Sequence, residues 1–202
     1  MTLLAHHPDY TEIREKLHRN IVLRRLAHQD FEDLASDLAI VDYKKGDVLL
    51  SQGAHEMEQY FVIDGILKRV VASPEGKEMI LRFAKEDDMD TSYAAWKLRT
   101  PAPYSIRAVT KAQVAKLPLP QWAQFLDRHM DLKEDFEYEV MFLMSEVMAH
   151  TITLHLLDAP GRVHRFVRKH SDLAERVPKK ELASYLNLSA ETLSRLKQSG
   201  KI

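Results

Sequence analysis

The sequence predicts an α+β fold: an antiparallel β-roll of the jelly-roll or cupin-like type, then a long helix, then an all-α C-terminal segment. Three observations support this fold class. Short apolar runs alternate with turn residues from 40 to 117, apolar residues recur in heptads from 131 to 157, and residues 179–198 outline two short helices joined by a tight turn. The predicted units are residues 1–130, 131–157 and 158–202.

The composition indicates a globular chain and limits its chemistry. Of 202 residues, 45% are apolar, 29% are charged and none is cysteine. Disulfides and thiolate-bound iron–sulfur clusters are therefore excluded. The N-terminus lacks the basic and apolar regions of a signal peptide, and no apolar run approaches the length of a membrane span. We expect a cytoplasmic protein that does not contact a membrane.

The first half of the chain changes from helical to strand periodicity. Residues 9–39 are predicted to be helical because apolar residues recur at intervals of three and four. After them, turn residues separate short apolar runs, and Asp64-Gly65 is typical of a tight hairpin turn. The predicted strands cover residues 40–43, 48–50, 60–63, 66–71, 78–83, 104–109 and 113–117. Many short strands with turns between them favour a roll or barrel.

Helical periodicity returns after Pro120, with a short helix to Arg128 and a long one over 131–157. The long helix carries two heptad positions, occupied by Val140, Val147 and Leu154, and by Phe136, Leu143, His150 and Leu157. Such a seam predicts a two-stranded coiled coil and so a homodimer. The alternative is a single amphipathic helix that lies on the roll. Because Met141, Met144 and Met148 widen the apolar stripe, a third arrangement places one face on the roll and the other on a partner. Residues 158–161 end this helix, and residues 162–170 form the next.

The segment 179–198 has the pattern of a helix-turn-helix. Its first helix is predicted over Lys179–Leu186, Asn187 suits a left-handed turn conformation, and Ser189 caps a second helix whose first turn contains Glu191. The apolar positions that hold the two helices together are Leu182, Ala183, Leu186, Leu193 and Leu196. The alternative is an ordinary helical hairpin.

Charge distribution favours a nucleic-acid partner for this end of the chain. Residues 158–202 contain ten Lys and Arg against five Asp and Glu, a net charge of +5, whereas the whole chain carries −1. The remaining 157 residues are therefore acidic, with a net charge of −6. A basic C-terminal part joined to an acidic remainder is typical of a DNA-binding module attached to another domain.

Five motifs carry a resemblance to a known family. They are Tyr43–Leu49, Gln52-Gly53, Phe61–Gly65, Gly76–Leu81 and Glu191–Arg195. In this order, and followed by a long helix and a helix-turn-helix, they resemble the Crp/Fnr family of bacterial transcription regulators over nearly the whole chain. The resemblance implies a homodimer that binds duplex DNA, with RNA polymerase as a further partner, under allosteric control by an effector in the roll.

The resemblance also implies which side chains contact DNA. Glu191 and Arg195 would read base edges, which agrees with the pairing of Arg with guanine and of Glu with cytosine. Ser194 would add a base or phosphate contact. Phosphate contacts are expected from Lys179, Ser189 and Thr192. The alternative role of Glu191 is helix capping alone.

Departures from the family pattern bear on the effector. Where cAMP-binding members carry a Gly-Glu pair and an Arg-Ser or Arg-Thr pair, this chain has Thr91-Ser92 and Ala102-Pro103. A cyclic nucleotide held in the family's way is therefore not expected. The candidate pocket, for an apolar effector, a haem or no ligand, comprises Phe83, Thr91, Ser92, Tyr93, Trp96, Ala102, Pro103 and Tyr104. A haem needs an axial ligand; His150 is the candidate, and a packed seam histidine is the alternative.

The sequence thus predicts a DNA-binding regulator rather than an enzyme, since it shows no catalytic constellation and no metal-ligand spacing. Residues 199–202 leave no evident wing after the second helix. The rival interpretation is a roll that binds a small molecule, with a helical tail that serves assembly. The effector, the operator, the regulated genes and the sign of regulation are not encoded in these motifs.

Overall fold

The structure, a computed structural model, describes residues 2–198 and contains two antiparallel sheets. The strands are β1 (Thr2–Leu3), β2 (Ala39–Tyr43), β3 (Val48–Leu50), β4 (Glu58–Asp64), β5 (Leu67–Ala72), β6 (Glu78–Ala84), β7 (Met89–Thr91), β8 (Ser105–Ala108) and β9 (Ala112–Pro118). One sheet has the order β1-β2-β9-β4-β7, and the other has the order β3-β8-β5-β6. The predicted antiparallel roll is confirmed.

The turn between β4 and β5 shows why glycine is needed at these corners. Gly65 has a φ of +90°, and a Cβ atom there would lie 2.3 Å from the carbonyl oxygen of Lys111. The chain therefore passes directly over the start of β9 at this point, and any side chain would force the two segments apart.

Helices flank the roll and form the C-terminal end. They are α1 (Tyr10–Leu17), α2 (His28–Ala35), α3 (Tyr93–Lys97), α4 (Leu119–Leu126), α5 (Met130–Leu156), α6 (Ala159–Lys169), α7 (Ser171–Arg176), α8 (Lys179–Tyr185) and α9 (Ala190–Gln198), with 3-10 turns at Leu4–His6 and Leu23–Arg25. The predicted helical stretch 9–39 is thus two short helices with an irregular link, and β1, β7, α3 and α7 were not predicted.

Two apolar clusters hold the molecule together. The larger one fills the roll and includes the first half of α5, where Phe136 packs edge-on against Trp122 at 5.4 Å between ring centroids. The smaller one joins the helical end to the outer face of β5 and β6: Val70, Ile80 and Phe83 from the sheet lie with Phe166 and Leu182 from the helices. We call α6–α9 the head; it rests on the sheet through this second cluster.

Helix α5 differs from the predicted coiled-coil arrangement. Phe136, Leu143 and His150, predicted to face a second copy, are 0%, 3% and 9% exposed in the single chain. They are covered by the roll and the head because α5 crosses both. Val140, Val147 and Leu154 are half-buried and Leu157 is exposed, so the helix also behaves as the amphipathic alternative predicted.

Candidate nucleic-acid interface and sensor domain

Helices α8 and α9 form the helix-turn-helix that the sequence indicated. Asn187 takes a φ of +51°, the left-handed conformation expected of it, and the next amide, of Leu188, donates to the carbonyl of Ala183 at 2.8 Å. Leu182, Ala183, Leu186, Leu193 and Leu196 are all buried. The head core is therefore built from the residues that the spacing singled out.

Ser189 starts α9 with a side-chain cap. Its Oγ accepts from the backbone amide of Thr192 at 3.1 Å and also lies 3.1 Å from the Thr192 hydroxyl. The pKa of Glu191 is lowered by its own backbone amide and by Ser189. Glu191 therefore stays ionised next to the N-terminus of the helix, where the dipole favours negative charge. Ser189 thus caps the helix, and the Glu191 carboxylate stays ionised in this geometry.

The predicted contact residues lie on the outer surface of the head. Lys179, Ser189, Glu191 and Arg195 are exposed, and Thr192 and Ser194 are partly exposed. Glu191 and Arg195 are four residues apart, so their side chains lie on one face of α9. This face presents a hydrogen-bond acceptor and a guanidinium side by side, the pair of groups that can read base edges in a major groove.

The interior of the roll contains a buried ion pair that the sequence did not reveal. Arg69 on β5 is 2% exposed, and its Nε donates to the Asp90 carboxylate at 2.6 Å. Its Nη2 donates to the Thr91 carbonyl, and its guanidinium lies 4.7 Å from the Tyr104 ring centroid. Burial alone would lower the pKa of Arg69, but Asp90 and Tyr104 raise it. A guanidinium is thus present in the roll, already neutralised by the chain itself.

Two residues of the predicted effector pocket, Thr91 and Tyr104, contact this pair. Tyr104 donates its hydroxyl to the Thr91 carbonyl at 2.6 Å, and Tyr93 lies edge-on to Phe136. Thr91, Ser92, Tyr93, Ala102 and Tyr104 are buried, Trp96 is partly buried and Pro103 is exposed. Phe83 differs from the prediction: it faces the head, 5.1 Å from Tyr185, because β6 turns this side chain to the outer face of the sheet.

His150 is a packed histidine in this structure. Its ring stacks on Tyr185 at 3.8 Å between centroids. Burial lowers its pKa to about 4, so the ring is neutral at neutral pH. Its Nε2 atom is buried and has no hydrogen-bond partner among residues 2–198. The sequence singled out this residue for its place in a helix seam, whereas its neighbours belong to the head.

Ion pairs also join the head to the roll, and no sequence pattern indicated them. Lys68 on β5 lies 2.7 Å from Glu181 on α8, with both side chains mostly buried. Lys85 pairs with Asp172 at 2.7 Å, and Glu86 accepts twice from the guanidinium of Arg176. Because the partners are 87 to 113 positions apart in sequence, no local sequence pattern predicts these ion pairs. The head is held by specific polar contacts in addition to the apolar cluster.

The described residues contain neither a membrane-spanning helix nor a cluster of metal-ligating side chains. Within the described part of the chain, no helix is long and apolar enough to cross a membrane. Across the same residues there is no group of three or more His, Cys, Asp or Glu side chains arranged to hold a metal ion. The predicted absence of a wing depends on residues 199–202, which lie outside the described residues.

Comparison with known proteins agrees with this architecture. The family model of the cyclic nucleotide-binding domain matches residues 40–129. A curated relative, the cAMP-activated global transcriptional regulator CRP of Salmonella typhimurium, is 20% identical over 164 residues, which cover 76% of this chain and 78% of that protein.

Solved structures share the fold at low identity. FixK2 from Bradyrhizobium japonicum superposes with a TM-score of 0.68 at 16% identity, covering 81% of this chain and 86% of that one. The c-di-GMP responsive global regulator CLP of Xanthomonas campestris gives a TM-score of 0.70 at 16% identity, over 86% and 92% of the two chains. The matched domain lies in the roll, and the domain match, the curated relative and the shared fold support the resemblance to the Crp/Fnr family.

Proposed function

We propose that this protein is a cytoplasmic DNA-binding transcription regulator that works as a homodimer on a palindromic operator. The observation that carries the proposal is α9: a capped, exposed helix that presents Glu191 and Arg195 on one face. The curated relative is itself named a transcriptional regulator. Residues 1–130 would form the sensing unit, 131–157 the dimerisation helix and 158–202 the DNA-binding unit.

The charge of the head supports DNA as the partner. Lys179 and Arg195 are exposed on α8 and α9, and Arg165 and Arg168 are exposed on α6. Cations concentrated in the head attract phosphates and release counterions when DNA binds, so affinity should fall steeply with salt. Lys179, Ser189 and Thr192 are proposed to contact phosphates, and Ser194 a base or a phosphate.

The homodimer is proposed to form through the solvent-facing side of α5. Tyr138 and Ile152 are two heptads apart, Met141 and Met148 are one heptad apart, and all four are at least half exposed. This apolar stripe has the coiled-coil spacing of the predicted seam but lies on the face that the chain's own domains leave uncovered. Two heads brought together in this way would present two α9 helices for half-sites about 34 Å apart.

The buried ion pair inside the roll limits which effectors could bind there. Arg69, the group that would attract an anionic effector, is paired with Asp90 and buried beneath Tyr104. A cyclic nucleotide in the interior would have to break this pair, and we propose that none binds there. RNA polymerase is proposed as a further partner on the basis of the family resemblance alone.

The test is selection from a random duplex library with the full-length protein, with Arg195→Ala and with Arg24→Ala. Arg24 is an exposed arginine of the 3-10 turn near the N-terminus, so its removal changes the charge equally. We expect an enriched inverted repeat with the native protein and with Arg24→Ala, and its loss with Arg195→Ala. Absence of enrichment at every salt concentration would favour a roll that binds a small molecule and has an assembly tail.

A further inference from the structure

A cavity of about 200 Å³ lies where the roll, the long helix and the head meet. Its walls come from β6, α5, α6 and α8, which places it outside the interior of the roll. One side of it is aromatic: Phe83, Phe166 and Tyr185 touch one another, with ring centroids 5.1 to 6.5 Å apart. A dry cavity of about 150 Å³ can take up benzene, so this volume suits a single ring with small substituents.

His150 gives the cavity an unsatisfied polar group. The residue is 9% exposed and lines the cavity, and its Nε2 atom is buried without a partner among the described residues. Buried polar atoms in proteins are nearly always hydrogen-bonded, so an unpaired one requires an explanation. A hydroxyl group would satisfy either tautomer of the neutral ring because it can both donate and accept.

The α6 side of the cavity is cationic. Arg162 donates to the Leu186 carbonyl at 2.8 Å, but its Nε atom is buried and has no partner within residues 2–198. Arg165 lines the same cavity and forms no ion pair with the described residues. Two guanidinium groups without carboxylates favour an anion, and Arg binds planar carboxylates in a bidentate manner.

The acids around the cavity oppose such an anion only weakly. Asp88 is paired with Arg82, and Glu146 is paired with Lys169. Glu139 also lines the cavity, and burial raises the pKa of its carboxyl group, which reduces its negative charge relative to an exposed glutamate. The surplus charge at this site is therefore positive and lies on α6.

We propose that this cavity binds a small aromatic carboxylate that carries a ring hydroxyl, with the carboxylate on the arginines of α6, the ring against Phe83 and Phe166, and the hydroxyl on His150. Such a ligand would contact β6, α5 and α6 at once and so fix the head relative to the roll. This regulatory consequence rests on the proposed function, whereas binding itself does not. A ligand that prefers one placement of the head would shift the population of that placement.

Calorimetric titration of the full-length protein with 4-hydroxybenzoate, benzoate and phenol tests the proposal. We expect 4-hydroxybenzoate to bind saturably, with one molecule per chain. Benzoate and phenol each lack one of the two polar contacts and should bind about tenfold more weakly or worse, as expected for the loss of a hydrogen bond to a buried or charged group.

Two variants separate the contacts. His150→Phe keeps a ring against Tyr185 and should weaken 4-hydroxybenzoate about tenfold without affecting benzoate. Arg165→Gln should weaken both carboxylates and leave phenol unchanged. Arg168→Gln is the matched control, because Arg168 is exposed on the same helix but does not line this cavity, and it should leave the affinity for all three ligands unchanged. Circular dichroism establishes that each variant is folded.

Absence of saturable binding of 4-hydroxybenzoate to the native protein would overturn the proposal. Equal affinity in the native protein, His150→Phe and Arg165→Gln would overturn it as well, because the ligand would then bind elsewhere. The duplex selection distinguishes failure of the proposed function from failure of the cavity proposal. A protein that binds the acid but never selects DNA contradicts the regulator function alone. A protein that selects DNA but binds no acid contradicts the cavity proposal alone.

Discussion

At the scale of single residues, Arg69 and Asp90 determine what the roll can hold. The two side chains are 2% and 0% exposed and lie 2.6 Å apart. A buried ion pair need not stabilise a protein relative to apolar residues, but removal of one partner leaves an uncompensated charge. Asp90 already neutralises the Arg69 guanidinium, so an anionic ligand would have to compete with it. The buried guanidinium of Arg69 is therefore neutralised without a charged ligand.

Asp90→Asn should accordingly destabilise the protein by about 3–5 kcal/mol, because Arg69 stays charged and buried. The matched control is Asp127→Asn, which breaks an exposed pair with Lys133 and should have a much smaller effect on stability, because solvent screens an exposed pair. Urea unfolding followed by circular dichroism measures both. Equal effects of the two substitutions would show that the pair in the roll is not buried as described.

Ser189 supports a second prediction at this scale. Its hydroxyl caps α9 through the amide of Thr192. Ser189→Ala should reduce the free energy of unfolding by about 1 kcal/mol, the usual cost of a lost cap. Ser194→Ala, within the same helix, should be neutral or slightly stabilising because Ala has the higher helix propensity. A larger loss for Ser194→Ala than for Ser189→Ala would contradict the capping role.

At the scale of elements, α5 has a buried face and an exposed apolar face. Phe136 and His150 pack inside the chain, whereas Met141 and Met148 are 63% and 61% exposed. If the exposed stripe forms the seam, Met148→Glu should convert the dimer to a monomer, because it places like charges opposite each other in an apolar interface. Sedimentation velocity measures the change. Met79→Glu, at an exposed methionine on β6, is the control and should stay dimeric.

A Met148→Glu protein that sediments as a dimer would contradict this seam.

Helix α5 also shows which features of the fold can be predicted from the sequence and which cannot. Heptad spacing correctly predicted a long helix, but it cannot distinguish a face covered by the chain itself from one covered by a partner. Strands and the helix-turn-helix were predictable because periodicity and turn residues are local. The pairing of Arg69 with Asp90, and of Lys68 with Glu181, joins distant segments and leaves no such pattern.

At the scale of the whole molecule, the junction of roll and head should respond to pH. Burial lowers the pKa of His150 to about 4, against 6.5 for the free side chain, so the unfolded chain takes up the proton first as the pH falls. The free energy of unfolding should therefore decrease as the pH falls from about 6.5 toward 4. Urea midpoints at about pH 7, 6 and 5 measure this slope.

His150→Phe should flatten this pH dependence while keeping the stack on Tyr185. Part of the slope should remain, because burial also lowers the pKa of His170, which lines the same junction. Identical slopes for the variant and the native protein would show that His150 titrates normally and is not enclosed between α5 and the head.

Helix α9 is proposed to read base edges in the major groove. The most direct test measures the affinity of the native protein, Arg195→Ala and Lys179→Ala for the selected duplex and for every single-base-pair variant of it. Arg195→Ala should lose about 1–3 kcal/mol and relax specificity at one base pair in each half-site. Lys179→Ala should weaken all sequences alike and reduce the salt dependence. If Arg195→Ala also weakens every sequence equally, α9 does not read the operator.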